Sequence, residues 1–372
     1  MRITVSVTND LLTDQRVHKV CSTLVKNGYE IMLIGRRLTN EEVPNRGYKT
    51  RRMRLLFRST FLFYAEYNIR LFFYLLNAKT DAFLANDTDT LPANFFAAFL
   101  RRKPLIFDAH EMFPEVPEVY NRKIVKWVWT MIENIFFPHL ENAYTVCQSI
   151  ADYYNSRYSI NMQVIRNIPV PSTQNRFERP IQAPGKRILL YQGAVNEGRG
   201  IEYIIDAMPF LRNCVFYVVG DGDILELLKQ KVEDMQLQSK VIFVGRIPFE
   251  QLGAYTRCAN IGINILENKG LSYYYSLPNR FFDYLQANIP SLSSNFPEMR
   301  KMYSKYEGIG MLAQNNEPEY LAETIRQMLL RTWSKRAFDI ANKELTWENE
   351  AAKLLNIVQF ALGKDRYLEE DD

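Results

Sequence analysis

Three short stretches of this 372-residue chain combine glycines, charge and polar side chains at spacings that could do chemistry. In YQGAVNEGRGIEYIIDAM, residues 191–208, an apolar run ends at Gln192, Gly193, Gly198 and Gly200 follow, and a helical pattern begins near Arg199. A helix opening on such a loop offers unpaired N–H groups and the positive end of its dipole, which suit a diphosphate. Arg199 would add a permanently charged fork of donors. The string is neither a Walker A loop nor a GxGxxG fingerprint, and its glycines would equally serve a plain turn with a solvated arginine. In YYYSLPNRFFDYLQANIP, residues 273–290, Pro278 suits the first helical position, Asp283 lies among Phe281, Phe282 and Tyr284, and Asn288–Pro290 end the helix. That carboxylate could accept hydrogen bonds from a vicinal diol such as ribose, or be an ordinary surface aspartate. In LIFDAHEMFPEVPE, residues 105–118, a buried-strand pattern ends in Asp108, His110 and Glu111. His110 could bond to a sugar hydroxyl, or be satisfied by the nearby acids.

These side chains need a scaffold, and the chain alternates strand and helix patterns. Ile3–Val7 reads as a strand; Val17, Val20, Cys21 and Leu24 then recur at helical spacing, and Gly28 ends that helix as a left-handed cap. Ile31–Gly35, Leu105–His110 and Tyr144–Ser149 read as strands, and Ile124–Phe137 as a helix. Residues 168–184 hold Pro169, Pro171, Pro180 and Pro184 and read as a linker. The alternation then restarts: strands at Arg187–Gln192, Val215–Val219, Val241–Val244, Ile261–Leu266 and Pro290–Ser293, and helices at Ile224–Met235, Pro278–Ala287 and Tyr320–Arg331. Two tandem arrays of this kind predict an α/β chain with two parallel-sheet domains facing each other across a cleft. Ligands bind at the carboxyl ends of strands in such sheets, so the cleft is the expected active site.

Composition narrows the classes. Hydrophobic residues make up 47% and charged residues 24%, which fits globular cores and argues against disorder. Cys21, Cys147, Cys214 and Cys258 form no CxxC pair, and His18, His110 and His139 form no HxxxH, so neither a disulfide scaffold nor a zinc site is expected. The opening MRITVSV runs into a strand pattern rather than a signal peptide, and no apolar stretch of membrane-spanning length follows. A cytoplasmic location is expected. Net charge is +4, with the surplus concentrated in Arg46, Lys49, Arg51, Arg52, Arg54 and Arg58, just before Phe61, Phe63 and Tyr64. Basic plus aromatic suits an anionic membrane surface at the inner membrane face; a solvated rim over core aromatics is the plainer reading. No signature of nucleic-acid binding accompanies the charge.

The three stretches, in this order and spacing, resemble retaining glycosyltransferases of the GT-B fold, family 4 (glycosyl transferases group 1). The resemblance extends over nearly the whole chain through TDQRVHKVCSTLVKNGYEI, VIRNIPV, VVGDGD, VIFVGRIPFEQL and LTWENEAAKLL. It implies two Rossmann-like domains: an acceptor domain over 1–170, a nucleotide-sugar domain over 171–345, and a terminal helix within 346–372 that crosses back to the first domain. It also implies a nucleotide-diphosphate sugar donor (UDP- or GDP-linked) and a glycan or lipid-linked acceptor, with neither cofactor nor metal. Asp87-Thr88-Asp89 matches DxD only as a string, in the wrong domain.

Carried over residue by residue, Arg199 before Gly200 would hold the donor diphosphate, alongside Gly193 and Gly198. A second basic residue usual after the strand-ending glycine is replaced by Ala194. Asp283 matches the acid that binds ribose, while the acid eight positions earlier falls on Tyr275, leaving Ser276, Asn279 and Arg280 to supply polar contacts. Gly245, Arg246 and Ile247 match the base-reading loop, and His110 the histidine that touches the transferred sugar. Asp14, Arg16, Asn86, Asp87 and Glu111 fall on the acceptor side. Ala194 and Tyr275 keep open a catalytically impaired binding subunit, and the fold keeps open a nucleotide-sugar epimerase.

Overall fold

The computed structural model describes residues 1–12, 14–170 and 179–363, which divide into two compact units. The first comprises Met1–Asn167 and the chain from Glu348; the second is Ile168–Trp347. The change of unit thus falls three residues before the expected boundary at 170. Ile168 is fully buried, and Gln286 Nε2 donates to the Pro169 carbonyl at 2.7 Å, so these residues are fixed to the second unit rather than the first. The helix Trp347–Ala361 is held to the first unit by Glu350, which accepts from Arg166 N at 2.9 Å and pairs with Arg166 Nη1 at 3.2 Å.

The first unit is a seven-stranded sheet: β1 (Arg2–Asp10), β2 (Glu30–Arg36), β3 (Lys49–Met53), β4 (Ala82–Asn86), β5 (Leu105–Ala109), β6 (Asn142–Thr145) and β7 (Gln163–Val164). Its order is β3-β2-β1-β4-β5-β6-β7, with every pair parallel. All five residues of β4 are buried, as a central parallel strand covered on both faces requires. Asp14 caps the helix Gln15–Lys26 by accepting from Val17 N, and Gly28 follows it at φ 82°. The expected strand Tyr144–Ser149 stops at Thr145; Cys147 caps a helix, Gln148–Tyr158, that contains Ser149. The apolar run hides this change of period, because a buried strand and the buried side of a helix are alike in hydropathy.

The second unit is a six-stranded parallel sheet of β8 (Arg187–Gln192), β9 (Cys214–Val219), β10 (Val241–Gly245), β11 (Ile261–Asn264), β12 (Ser291–Ser294) and β13 (Gly310–Ala313), in the order β10-β9-β8-β11-β12-β13. The helix Asn279–Gln286 lies directly on it. Tyr284 is fully buried and its hydroxyl donates to the carbonyls of Leu190 (2.9 Å) and Ile263 (3.2 Å). The close approach needs Gly262 on β11: a Cβ there would stand 2.4 Å from the Tyr284 ring. Pro278 is the N-cap of this helix rather than its first residue, because its ψ of 138° is extended.

Strand order reverses between β1 and β4 in the first sheet and between β8 and β11 in the second. Each reversal opens a crevice at the strands' carboxyl ends, where doubly wound folds bind ligands.

Candidate functional site

In the second unit, the loop after β8 leaves Gly193 exposed at φ 127°, runs through Gly198 at φ 78°, and reaches Gly200, a left-handed N-cap at φ 69°. The helix starts at Ile201, two residues later than expected, because Gly200 lies outside helical geometry. Arg199 is half-buried, with its guanidinium carbon 4.6 Å from the Tyr273 ring centroid. Its Nε is buried and has no hydrogen-bond partner among the described residues. Tyr273 packs against the loop at Gly198, where a Cβ would lie 3.2 Å from its ring.

Asp283 is half-buried on the Asn279–Gln286 helix, and its Oδ2 accepts from Gln192 Nε2 at 2.8 Å. Gln192 Oε1 in turn accepts from Thr256 Oγ1 at 2.8 Å. This relay fixes the carboxylate at the end of β8. Arg280, one turn earlier, is 6% exposed, stacks 4.5 Å over the Tyr191 ring and donates from Nε to Asn264 Oδ1 at 2.9 Å. Asn279 is exposed, Tyr275 is half-buried, and Ser276 Oγ donates to the Tyr273 carbonyl at 2.9 Å. Gly245 has φ 80° with open space where a Cβ would stand, and its carbonyl accepts from Gly220 N at 2.9 Å. Arg246 is exposed, and Ile247 packs against the cluster around Tyr284.

The first-unit crevice is built differently. Arg16 and Asp108 form a buried bidentate pair, Nη2–Oδ1 2.6 Å and Nε–Oδ2 3.1 Å, with exposures of 6% and 0%. His110 lies between two carboxylates, Nδ1 3.2 Å from Asp87 Oδ2 and Nε2 3.0 Å from Asp108 Oδ2; the second contact is short but poorly aligned as a hydrogen bond. Asp87 Oδ1 also accepts from His110 N at 2.7 Å. Burial opposes charge on the imidazole, but Asp108 and Asp87 outweigh it and push its pKa up to about 9. Burial likewise works against Asp108, yet Arg16 and His110 hold it well below the usual carboxylate range. Asp87 is pushed up to about 7 by burial, and Asp89, bonded to Thr8 Oγ1, to about 8 by burial and by Asp87. The result is an imidazole held at both ring nitrogens by carboxylates.

Two residues assigned to the acceptor side are enclosed instead. Arg16 spends its guanidinium on Asp108 and the Ile165 carbonyl, and Asn86 is fully buried, donating to the Ser6 carbonyl at 3.0 Å. Both are tied into the sheet by partners distant in sequence, which no local pattern reveals. Asp14 is a helix cap that also accepts from Asn9 Nδ2 at 3.0 Å, and Glu111 is exposed. The structure adds Asp108, Gln192, Thr256, Asn264 and Tyr273. A polar residue at the end of an apolar strand run was the available signal for Asp108, Gln192 and Asn264; Thr256 and Tyr273 gave none.

Two family models match, "Glycosyltransferase Family 4" over residues 14–170 and "Glycosyl transferases group 1" over 186–331. Among solved structures, sucrose-phosphate synthase from Thermosynechococcus elongatus aligns at a TM-score of 0.79 and 17% identity, over 98% of this chain and 100% of that one. HepE of Anabaena, solved with UDP-glucose, aligns at 0.73 and 14% identity, over 96% and 99%. The fold is GT-B. As a GT-B chain it has curated relatives at lower coverage. The uncharacterized glycosyltransferase MJ1607 of Methanocaldococcus jannaschii is 21% identical over 188 residues, 48% of this chain and 46% of that protein. WcaI of Escherichia coli, named for colanic acid biosynthesis and glycosyl transfer, is 23% identical over 203 residues, 53% and 48%. The GT-B chain spans about half the length of these relatives.

Proposed function

We propose that this chain transfers a sugar from a UDP- or GDP-linked donor to a glycan or lipid-linked acceptor, with retention at the anomeric carbon, in the synthesis of a cell-surface polysaccharide or glycoconjugate. The observation that carries the reading is Arg199: a half-buried cation in a glycine-rich loop at the β8 end, its Nε without a protein partner among the described residues. A half-buried charge left open in this way suits an anionic ligand.

In this reading Asp283, aligned by Gln192 and Thr256, accepts from the ribose hydroxyls. The bond from the anomeric carbon to the diphosphate oxygen breaks through an oxocarbenium-like state. Arg199 stabilises the charge growing on the leaving diphosphate. The acceptor hydroxyl attacks from the same face, and its proton passes to a departing phosphate oxygen. His110, held between Asp87 and Asp108, touches the transferred sugar in this reading. Tyr275, in place of an acid, contacts the sugar without adding charge. The test is release of nucleoside diphosphate from UDP- and GDP-sugars in the presence of a membrane extract, with the product's anomeric configuration read by NMR. Epimer formation, or nucleotide binding without any turnover, would reject transfer.

A lipid-linked acceptor is favoured by the surface of the first unit. Phe61 is 75% exposed, Phe99 73% and Trp127 63%, on the helices Thr60–Asn77, Leu91–Arg101 and Lys123–Phe136. Beside Phe57, a cavity of about 230 Å³ is lined by Arg36, Arg37, Arg54 and Arg58. Exposed aromatic side chains and clustered arginines in one unit suit the headgroup region of an anionic bilayer. Co-sedimentation with phosphatidylglycerol vesicles, and none with phosphatidylcholine, is the expected result; equal behaviour with both would count against it.

A further inference from the structure

We propose that Arg280 is the second diphosphate-binding cation of this chain, supplying from the Asn279–Gln286 helix the charge that Ala194 leaves out of the loop. The inference rests on the donor-site reading above and adds to it a residue, a ligand group and a reason for the alanine.

The first argument is position. Arg280 bonds to Asn264, the last residue of β11, and stands beside Gly193, which follows the last residue of β8. Those are the two strands that flank the reversal of the second sheet. Phosphate groups at such a reversal meet whatever the strand ends present. Here that is a guanidinium.

The second argument is incomplete satisfaction. Arg280 is nine-tenths buried, and its Nη2 is buried without a hydrogen-bond partner among the described residues. Its protein contacts are one hydrogen bond from Nε and the face of Tyr191. A buried guanidinium carries five donors and a charge it cannot lose, more than the single bond to Asn264 uses. An anion arriving at Gly193 would meet this guanidinium on its Nη1 side.

The third argument is geometry around residue 194. A Cβ on Gly193 would lie 3.8 Å from Arg280 Nη1, so the guanidinium stands directly beside the loop. The ring on which Arg280 stacks carries a hydroxyl that donates to the Ala194 carbonyl at 2.5 Å. Tyr191 thus ties the helix-borne charge to the place where a loop-borne charge would stand. Ala194 is exposed, so nothing in the fold forbids a basic side chain there. The loop can lack that charge because the helix already provides it.

The test is calorimetry on the full chain with UDP, UMP, GDP and GMP, in wild type, R280M, R280K and the double variant A194K/R280M. Methionine keeps the length and the apolar stem but removes the charge. If Arg280 serves the diphosphate, R280M still folds, with a melting temperature lowered only by the cost of leaving Asn264 Oδ1 without its donor. It binds the preferred diphosphate about ten- to hundredfold more weakly, the range for losing charge-assisted hydrogen bonds, and loses preference for diphosphate over monophosphate. A194K restores that preference in the R280M background, which a merely structural role would not do. A folded R280M that binds UDP and GDP as wild type does would overturn the role of Arg280 while leaving the donor site intact. Loss of the fold in both R280M and R280K would make Arg280 structural and overturn it equally. Failure of the wild-type chain to bind either diphosphate would reject the donor-site reading itself, and this inference with it.

Discussion

The two strand-order reversals of this chain hold buried and half-buried arginines in opposite states. In the first unit, Arg16 is closed by a bidentate carboxylate and the arrangement continues through His110 to Asp87. In the second, Arg199 and Arg280 lie over tyrosine rings with guanidinium nitrogens that lack protein partners among the described residues. Charge compensated within the protein holds a shape, and removing one partner costs the fold. Charge left open is free for a ligand, and removing it costs binding. The contrast separates a rigid platform from a site prepared for an anion.

The sharpest way to break this contrast is Asp108→Ala, which strands Arg16 in the interior. We expect the first unit to lose about 3–5 kcal/mol in urea unfolding, the usual cost of orphaning a buried ion. A loss under 1 kcal/mol would show that the pair is not structural. Arg199→Ala should do the reverse: transfer rate falls about a hundredfold or more, roughly 2.7 kcal/mol of barrier. Its unfolding free energy should move by less than about 1 kcal/mol, the lost stacking on Tyr273. An unchanged rate would remove Arg199 from the mechanism.

Asp283→Asn keeps the shape but removes charge from the ribose contact. Nucleotide affinity should fall by about 1.5–2 kcal/mol in calorimetry, while thermal stability stays near wild type. Equal affinity would sink the ribose role. The most gradual effect expected is a pH dependence in the first unit. The pKa of His110 is pushed from an ordinary 6.5 up to about 9, so its stabilising contribution is complete below pH 6.5 and is lost as pH climbs through about 9. Wild type should therefore lose up to about 3 kcal/mol relative to His110→Gln between those limits, the opposing effect of burial being already contained in that net rise. A difference that is flat or grows with pH would contradict the ion-pair assignment.

Much of the scaffold is legible in the order of residue types alone. Arg187–Gln192 reads as a strand to the residue, because a parallel strand covered on both faces is a continuous apolar run. Gly28 marks a helix end, because only a residue without Cβ takes φ 82° at no steric cost. Other limits are misplaced where two elements share one apolar run, as at Tyr144–Ser149, or where a glycine delays a helix, as at Gly200. The glycine loop with Arg199 and the helix with Asp283 are recognisable as chemistry from their residues and spacing.

Sequence by itself determined the alternation, the two parallel sheets and the short list of charged residues near strand ends, because hydrophobic period and turn residues act over a few positions. Which of those charges are spent was decided only in three dimensions. Arg16 meets Asp108 across 92 positions, Gln192 meets Asp283 across 91, and Arg280 comes to rest beside Gly193. A charge is quenched or left open by its neighbours in space, and strand order sets those neighbours.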